Sequence, residues 1–341
     1  MTVNPLDGQK DIASYEPVDG RLFSATHEEI LTGWTTDIYF LKTRDVLRSA
    51  GLLETPVVAE VFTRKPGTFA GSEEVLNLFR KLPNPPRVEA LSEGESFEAK
   101  EVVMRITGTY ESFGLYETVL LGMLASSTGW ATAAKECVEA AEGRNVLCFG
   151  ARHVHPAIAP VMERAAKIAG CSAMSCILAA KLCGEEPKGT VPHAAILMVG
   201  DTVKLAKLYD AQVPAEEPRI VLVDTFKDEA EETMRVAEAL GDKLSGIRLD
   251  TPGERGGVTP DLVRDTAGYN KVQIIATGGL TPERIKVMNE AGADVYGVGS
   301  YITNGAQRDM TMDIKMVNGR PIAKRGRLPG IIPNPKLKRV L

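Results

Sequence analysis

The sequence predicts an α/β protein in which an irregular or incomplete β/α barrel accompanies an α+β sandwich-like domain built from the N-terminal part and the C-terminal segment. Three observations carry that prediction. Beyond residue 142, short apolar runs alternate with helical stretches, and the later strand ends are spaced by about 20–27 residues, as repeated β-α units require. Acidic or Gly-rich residues close run after run, as happens where several loops converge on one barrel mouth. Before residue 112 and after residue 303 that rhythm is missing, and strand-like runs with turn signals replace it. A length of 341 residues suits about two domains. They are drawn as a polar arm over residues 1–21, an α+β domain over 22–112 with 304–341, and the barrel over 113–303.

The elements follow in order. A helix beginning at His27-Glu28-Glu29-Ile30 is expected to run through Thr35-Thr36-Asp37-Ile38-Tyr39-Phe40 to Leu47 with one apolar face. Val57–Phe62 and Glu101–Thr107 read as strands, with a helix from Ser72 to Leu82 and a Pro-rich loop between them. Glu117 to Glu142 is Ala-rich and helical, with Gly129 the expected joint between two helices. The barrel strands are read at Asn145–Gly150, Arg219–Thr225, Gly246–Thr251, Val272–Gly279 and Asp294–Gly299. Helices are expected to open at Pro156, at His193 and near Thr281-Pro282-Glu283. Thr311 to Ala323 reads as a hairpin turning at Asn318-Gly319, after which the chain end rejoins the first sheet.

Composition excludes several classes of function. With 44% hydrophobic and 25% charged residues the chain is globular rather than disordered. The net charge of −5, from 45 acidic and 40 basic residues, gives no global field for a nucleic acid or an anionic membrane, so neither is expected as a partner. Anionic ligands must then be bound locally. Cys137, Cys148, Cys171, Cys176 and Cys183 form no C-x-x-C pair and read as neutral thiols of a reducing cytosol. The first twenty residues hold no apolar core of a signal peptide, and no run approaches the ~18 apolar residues of a membrane span, so a cytoplasmic protein is expected.

The chemistry is read at the ends of the strands. Ile220-Val221-Leu222-Val223 ends in Asp224-Thr225 and Gly246-Ile247-Arg248-Leu249 in Asp250-Thr251, which puts two carboxylates at neighbouring mouths. Such a pair holds a Mg²⁺ that a substrate phosphate also ligates, or accepts hydrogen bonds from vicinal sugar hydroxyls; helix capping is the plainer use. Thr277-Gly278-Gly279 and Gly297-Val298-Gly299-Ser300 each follow an apolar strand, where consecutive glycines let backbone N–H groups turn toward a phosphate. Tight β-α connection is the alternative there. Phe149-Gly150-Ala151-Arg152-His153-Val154-His155 ends the first barrel strand with an aromatic ring, a guanidinium suited to phosphate or carboxylate, and an H-x-H pair. That pair has the spacing of a metal site, although only His27 and His193 remain elsewhere to complete one. His193, after Gly189-Thr190-Val191-Pro192, stands at a helix start that favours a neutral imidazole, able to act as acid, base or nucleophile or simply to cap.

These motifs, in this order, resemble the nicotinate phosphoribosyltransferases, within the type II phosphoribosyltransferases that also include quinolinate and nicotinamide members. The likeness runs from about Leu22 to Pro329 and rests on Thr35–Phe40, Gly108-Thr109-Tyr110 with Gly129-Trp130-Ala131-Thr132, Phe149–Arg152, Gly189–His193, Leu222–Thr225, Gly246–Asp250 and Gly297–Ser300. It implies transfer of the phosphoribosyl group of 5-phosphoribosyl pyrophosphate to the nitrogen of nicotinate, with His193, Asp224 and Asp250 as catalytic residues. Tyr39, contributed by a neighbouring subunit of a homo-oligomer, and Phe149 would sandwich the pyridine ring. Arg152, Thr190 and Arg248 would contact substrate, and Thr277, Gly278, Gly279, Gly297, Gly299 and Ser300 the 5-phosphate. Mg²⁺ would lie at Asp224 and Asp250, and ATP would be a co-substrate that phosphorylates His193. A Cys-rich knuckle that some relatives carry near the C-terminus is absent, since no cysteine follows Thr303. Three alternatives stay open: a quinolinate enzyme using Lys181, Lys188 and His153 for the second carboxylate, a metal-dependent barrel hydrolase built on His153 and His155, and a non-catalytic phosphosugar sensor.

Overall fold

A computed structural model describes residues 4–16, 18, 20–267 and 272–341. After a 3₁₀ turn over Gln9–Ser14 come α1 (His27–Leu31), α2 (Ile38–Ser49), β1 (Pro56–Thr63), β2 (Gly67–Thr68), α3 (Ser72–Phe79), β3 (Arg87–Ala90), β4 (Ser96–Phe97), β5 (Val102–Thr109), α4 (Tyr110–Phe113) and α5 (Glu117–Ala140). Then follow β6 (Asn145–Cys148), α6 (Ala159–Ile168), β7 (Ala173–Met174), α7 (Ile177–Leu182), α8 (His193–Val199), α9 (Thr202–Gln212), β8 (Arg219–Leu222) and α10 (Glu229–Leu240). The remainder is β9 (Leu244–Leu249), α11 (Pro260–Ala267), β10 (Gln273–Ala276), α12 (Pro282–Ala291), β11 (Val295–Val298), α13 (Ser300–Thr303), β12 (Met310–Val317), β13 (Arg320–Pro321) and β14 (Lys338–Arg339). None of the described helices is long and apolar enough to cross a membrane. The chain divides into two units, Met1–Thr132 with Ala306–Leu341, and Ala133–Gly305.

The first unit is built on a six-stranded sheet in the order β13-β12-β1-β5-β3-β14. Its core joins Ala59 and Val61 of β1 and Met104 and Ile106 of β5 to Phe79 of α3 and Leu120 and Leu124 of α5. The C-terminal segment is part of this sheet: β12 pairs antiparallel with β1, and β14 with β3. Asn318 (φ 47°) and Gly319 (φ 72°) both take the left-handed conformation that a two-residue hairpin turn demands, as the Asn-Gly pair predicts. A buried carboxylate adds a second tie, because Glu60 accepts from Arg105 on the neighbouring strand (2.9 Å) and from the Ile332 N–H (3.1 Å).

Three expectations for this unit fail for identifiable reasons. The helix foreseen from His27 to Leu47 is two helices, because Gly33 takes φ 88° and Asp37 is extended, which ends α1 and restarts the chain as α2. The arm before Arg21, read as loop, holds the 3₁₀ turn at Gln9–Ser14. Gly129 is no joint: α5 runs unbroken through it. What the glycine provides is space, since a Cβ there would lie 2.8 Å from the Ala306 carbonyl oxygen and 3.0 Å from the Gln307 Cα.

The second unit is a parallel sheet in the order β7-β6-β11-β10-β9-β8, a curled half-barrel with helices between its strands. Val146, Ile247, Leu249, Ile274, Ile275, Val295 and Val298 are all buried, so the strands read as continuous apolar runs, as strands covered on both faces do. The barrel is incomplete as foreseen, with β7 and β8 left as the edges. Two details depart from expectation. β7 is only two residues long and carries too little pattern to be read, and the helix placed at Pro156 begins at Ala159, with Pro160 in its first turn.

Because the atoms that crowd Gly129 are backbone and have little freedom to move, Gly129→Ala is expected to lower stability by about 1–3 kcal/mol, outweighing the ~1 kcal/mol that Ala gains in a helix. Urea unfolding of the two proteins checks this, and a higher midpoint for the variant would refute it.

Candidate active site

Hydrogen bonding of the parallel sheet continues one residue past the strands and so aims the side chains of the mouth. The Phe149 N–H donates to Val298 (2.8 Å), the Val223 N–H to Arg248 (3.3 Å) and the Thr277 N–H to Leu249 (2.9 Å). Beyond these lie Arg152 after β6, Asp224 after β8, Asp250 after β9, Gly278 and Gly279 after β10, and Gly299 and Ser300 after β11. Their order around the rim follows the strand order.

Arg248 gathers four of the expected residues. Its Nη2 donates to Asp250 Oδ2 (2.8 Å), Nη1 to the Thr190 hydroxyl (3.1 Å) and Nε to the Thr277 hydroxyl (3.2 Å). Its guanidinium carbon lies 5.6 Å from the centre of the Phe149 ring, within the range of a cation–π contact. Gly297 lies inside β11 rather than in a loop. A Cβ on it would meet the Phe149 ring and the Thr277 methyl at 2.6 Å, so this glycine makes room for the ring. Gly299 does the same for His153, whose Nε2 would be 3.2 Å from a Cβ there.

The second cluster is His193 with Asp224, whose Nε2 and Oδ2 are 3.0 Å apart. The imidazole is 38% exposed, whereas the Asp224 side chain is fully shielded. Its Oδ1 is buried without a partner. Burial pushes the Asp224 carboxyl above the usual carboxylate range against the opposing pull of His193, and the charge of Asp250 adds to the rise. A carboxylate with one orphaned buried oxygen beside a second carboxylate fits a Mg²⁺ that completes its shell with water and substrate phosphate. Among the described residues no group of three or more His, Cys, Asp or Glu is placed to hold a metal by itself.

The remaining expected residues are dispersed. Arg152 is exposed on a 3₁₀ turn, its Nε 3.4 Å from His153 Nε2. His155 accepts from the Ala157 N–H (3.2 Å), so the H-x-H pair is split between a turn cap and an arginine contact. Lys181 is paired with Glu186. Tyr39 belongs to the first unit, in the first turn of α2, with its ring exposed and 4.3 Å from that of Phe40.

Three carboxylates outside the motifs brace the second unit. Glu163, fully buried in α6, accepts from the Ser175 hydroxyl (2.6 Å) and the Cys176 N–H (2.8 Å) after β7. Glu229 of α10 accepts from Thr251 (2.7 Å), and Tyr301 of α13 donates to Glu136 (2.6 Å). The signal for Glu163 was available, because it shares a helix face with Ala159, Met162 and Ala166, where a carboxylate needs a partner.

The family description of the quinolinate phosphoribosyl transferase N-terminal domain matches residues 37–128, and that of the C-terminal domain residues 130–313. The chain belongs to the quinolinate phosphoribosyl transferase family. The resemblance read from the motifs therefore holds at the level of the type II phosphoribosyltransferases. A nicotinate phosphoribosyltransferase of Mycobacterium tuberculosis is 30% identical over 249 residues, 70% of this chain and 55% of that protein. The chain thus spans about half the length of this curated relative. The solved nicotinate-nucleotide pyrophosphorylase of Pyrococcus furiosus is 43% identical, with a TM-score of 0.86 over 91% of this chain and 82% of the other. Human nicotinic acid phosphoribosyltransferase, 17% identical with a TM-score of 0.66 over 87% and 77%, shares the fold.

Within this family member Asp224 offers a direct test of its environment. A carboxyl that keeps its proton to higher pH in the folded than in the unfolded state makes stability fall as pH rises through that window. Asp224→Asn is therefore expected to melt above the unsubstituted protein at pH 7 to 8, an advantage that shrinks as pH falls toward about 4 and is gone near pH 3, where the wild-type carboxyl is protonated in both states. Calorimetric scans across pH check it; a gap independent of pH would contradict the assignment.

Proposed function

We propose that this protein joins nicotinate to 5-phosphoribosyl pyrophosphate, releasing pyrophosphate and nicotinate mononucleotide for NAD biosynthesis. The observation that carries the reading is the Arg248 network, which sets an acceptor for sugar hydroxyls (Asp250), two hydroxyl groups (Thr190, Thr277) and an aromatic face (Phe149) around one guanidinium at the mouth. In the reaction the pyridine nitrogen forms a bond to C1 of the ribose as the C1–O bond to pyrophosphate breaks. Nicotinate needs no base to free its nitrogen, so alignment and charge stabilisation supply the catalysis. Phe149 would stack on the ring, with Tyr39 of a neighbouring subunit on its other face. Arg152 would meet a carboxylate or phosphate, Asp224 and Asp250 the ribose hydroxyls, and the loops at Gly278, Gly279, Gly299 and Ser300 the 5-phosphate. Mg²⁺ held at Asp224 and Asp250 would neutralise the departing pyrophosphate. His193 would take a phosphoryl group from ATP. With Nε2 hydrogen-bonded to Asp224, Nδ1 is the ring nitrogen left to form the N–P bond as the bond to ADP breaks.

The family description and the match to the Pyrococcus furiosus pyrophosphorylase favour a second reading, in which quinolinate is the base and CO₂ leaves as well. Support for nicotinate comes from the curated relatives and from Lys181, one of the three groups foreseen for the second carboxylate, which is already engaged by Glu186.

Assays with each base, with and without ATP, decide. Nicotinate is expected to yield the mononucleotide and pyrophosphate with stimulation by ATP; turnover of quinolinate alone, with CO₂ release, would replace this reading by the second. His193→Ala is expected to abolish the stimulation and keep ATP-independent turnover, whereas an equal loss under both conditions would remove the phosphorylation step. Asp250→Ala should lower kcat/KM by about a hundredfold, the scale of losing a half-buried charged partner at the reacting sugar.

A further inference from the structure

We propose that Arg284, which no motif singled out, is the positioning residue that shapes the 5-phosphate cradle; this rests on the phosphoribosyl reading above. Arg284 stands in the first turns of α12, yet its guanidinium turns back toward the barrel mouth. Nη1 donates to the carbonyls of Gly278 (3.3 Å) and Gly279 (3.0 Å), and Nη2 to that of Val258 (2.9 Å). One planar fork therefore binds three backbone oxygens from the loops that follow β9 and β10.

The consequence follows from peptide geometry. In a planar trans peptide the N–H points opposite to the C=O that precedes it, and the described residues contain no cis peptide. Drawing the Gly278 and Gly279 oxygens onto Arg284 turns the N–H groups of Gly279 and Leu280 the other way, out of the clamp. Both glycines hold left-handed backbone, φ 85° and 60°, which a pair of glycines otherwise samples among many conformations. The side of Gly278 that would carry a Cβ looks onto Asp250 Oδ1 at 3.2 Å, so the loop is set beside the carboxylate assigned to the ribose. A guanidinium behind these peptides also polarises them, raising the positive potential at their N–H ends. Arg284 thus fixes where the phosphate sits without touching it, and through Val258 it couples that position to the loop carrying Asp250.

The test is titration calorimetry of ribose 5-phosphate into the full chain, alongside steady-state kinetics with 5-phosphoribosyl pyrophosphate. Arg284→Ala is expected to weaken ribose 5-phosphate binding on the order of tenfold, the scale of losing the hydrogen bonds that hold a cradle. KM for 5-phosphoribosyl pyrophosphate should rise by a similar factor, while KM for the pyridine base stays near the wild-type value. Arg284→Lys keeps the charge without the fork, and is expected to fall between the two. Should Arg284→Ala fail to fold, the Arg284→Lys protein decides by itself, since wild-type affinity there would overturn the role of the fork. Unchanged affinity in Arg284→Ala, or an equal rise of both KM values, would overturn the proposal and leave the phosphoribosyl reading standing. Wild-type protein that binds no ribose 5-phosphate would overturn both.

Discussion

The mouth of the half-barrel depends on the commitment of Arg248. A guanidinium has five N–H donors in a rigid plane, and here three directions are spent inside the protein, on Asp250, Thr190 and Thr277. The segment that carries Thr190 belongs to no strand; the Lys188 N–H donates to Met174 of the edge strand β7 (2.9 Å), and the bond from Arg248 ties the same segment to β9. The same group sets the two carboxylates apart. Asp250 has a cation at 2.8 Å; Asp224 has an imidazole and one unpartnered oxygen, so burial dominates and its carboxyl shifts upward. Two aspartates on neighbouring strands, alike in sequence context, are given different electrostatic settings by which side chain reaches them.

Glycine serves this site in two ways that look identical in a motif. Gly278 and Gly279 are needed for their left-handed backbone, which exposes amide groups. Gly297 and Gly299 have negative or unexceptional φ and are needed for their missing Cβ, because Phe149 and His153 occupy the space that a side chain would fill. Substituting the first pair would disturb a loop conformation, and substituting Gly297 would displace an aromatic ring.

How legible each feature was follows from the range of the interaction behind it. Strands of the half-barrel are buried on both faces, and local composition shows this, which is why runs such as Arg219–Leu222 and Gln273–Ala276 were found within a few residues. Asn318-Gly319 is a local signal as well, because the turn demands those two residues whatever surrounds it. The break at Gly33 and the unbroken helix through Gly129 are opposite outcomes for the same residue type in similar surroundings. After Gly33 the extended Asp37 opens a new helix, whereas the Ala-rich run after Gly129 carries α5 on. The carboxylate–imidazole pair was foreseen as two separate groups at one mouth, but its contact depends on where the irregular segment before α8 lies, for which no periodicity exists.

The choice between one pyridine carboxylate and two turns on which cations remain at the mouth. A second carboxylate held a few ångströms from the first costs several kcal/mol in a partly desolvated site unless a cation meets it. Arg248 is committed to Asp250, Arg284 to backbone carbonyls and Lys181 to Glu186. Lys188 and His153, the other two groups foreseen for the second carboxylate, are exposed, and His153 shares a contact with Arg152, which is exposed as well. An exposed lysine offers a charge that water already solvates and that must be ordered at an entropic cost before it discriminates. Under the proposed nicotinate reading Arg152 alone meets the one carboxylate; under the quinolinate reading Lys188 or His153, both exposed, would have to be ordered to meet the second.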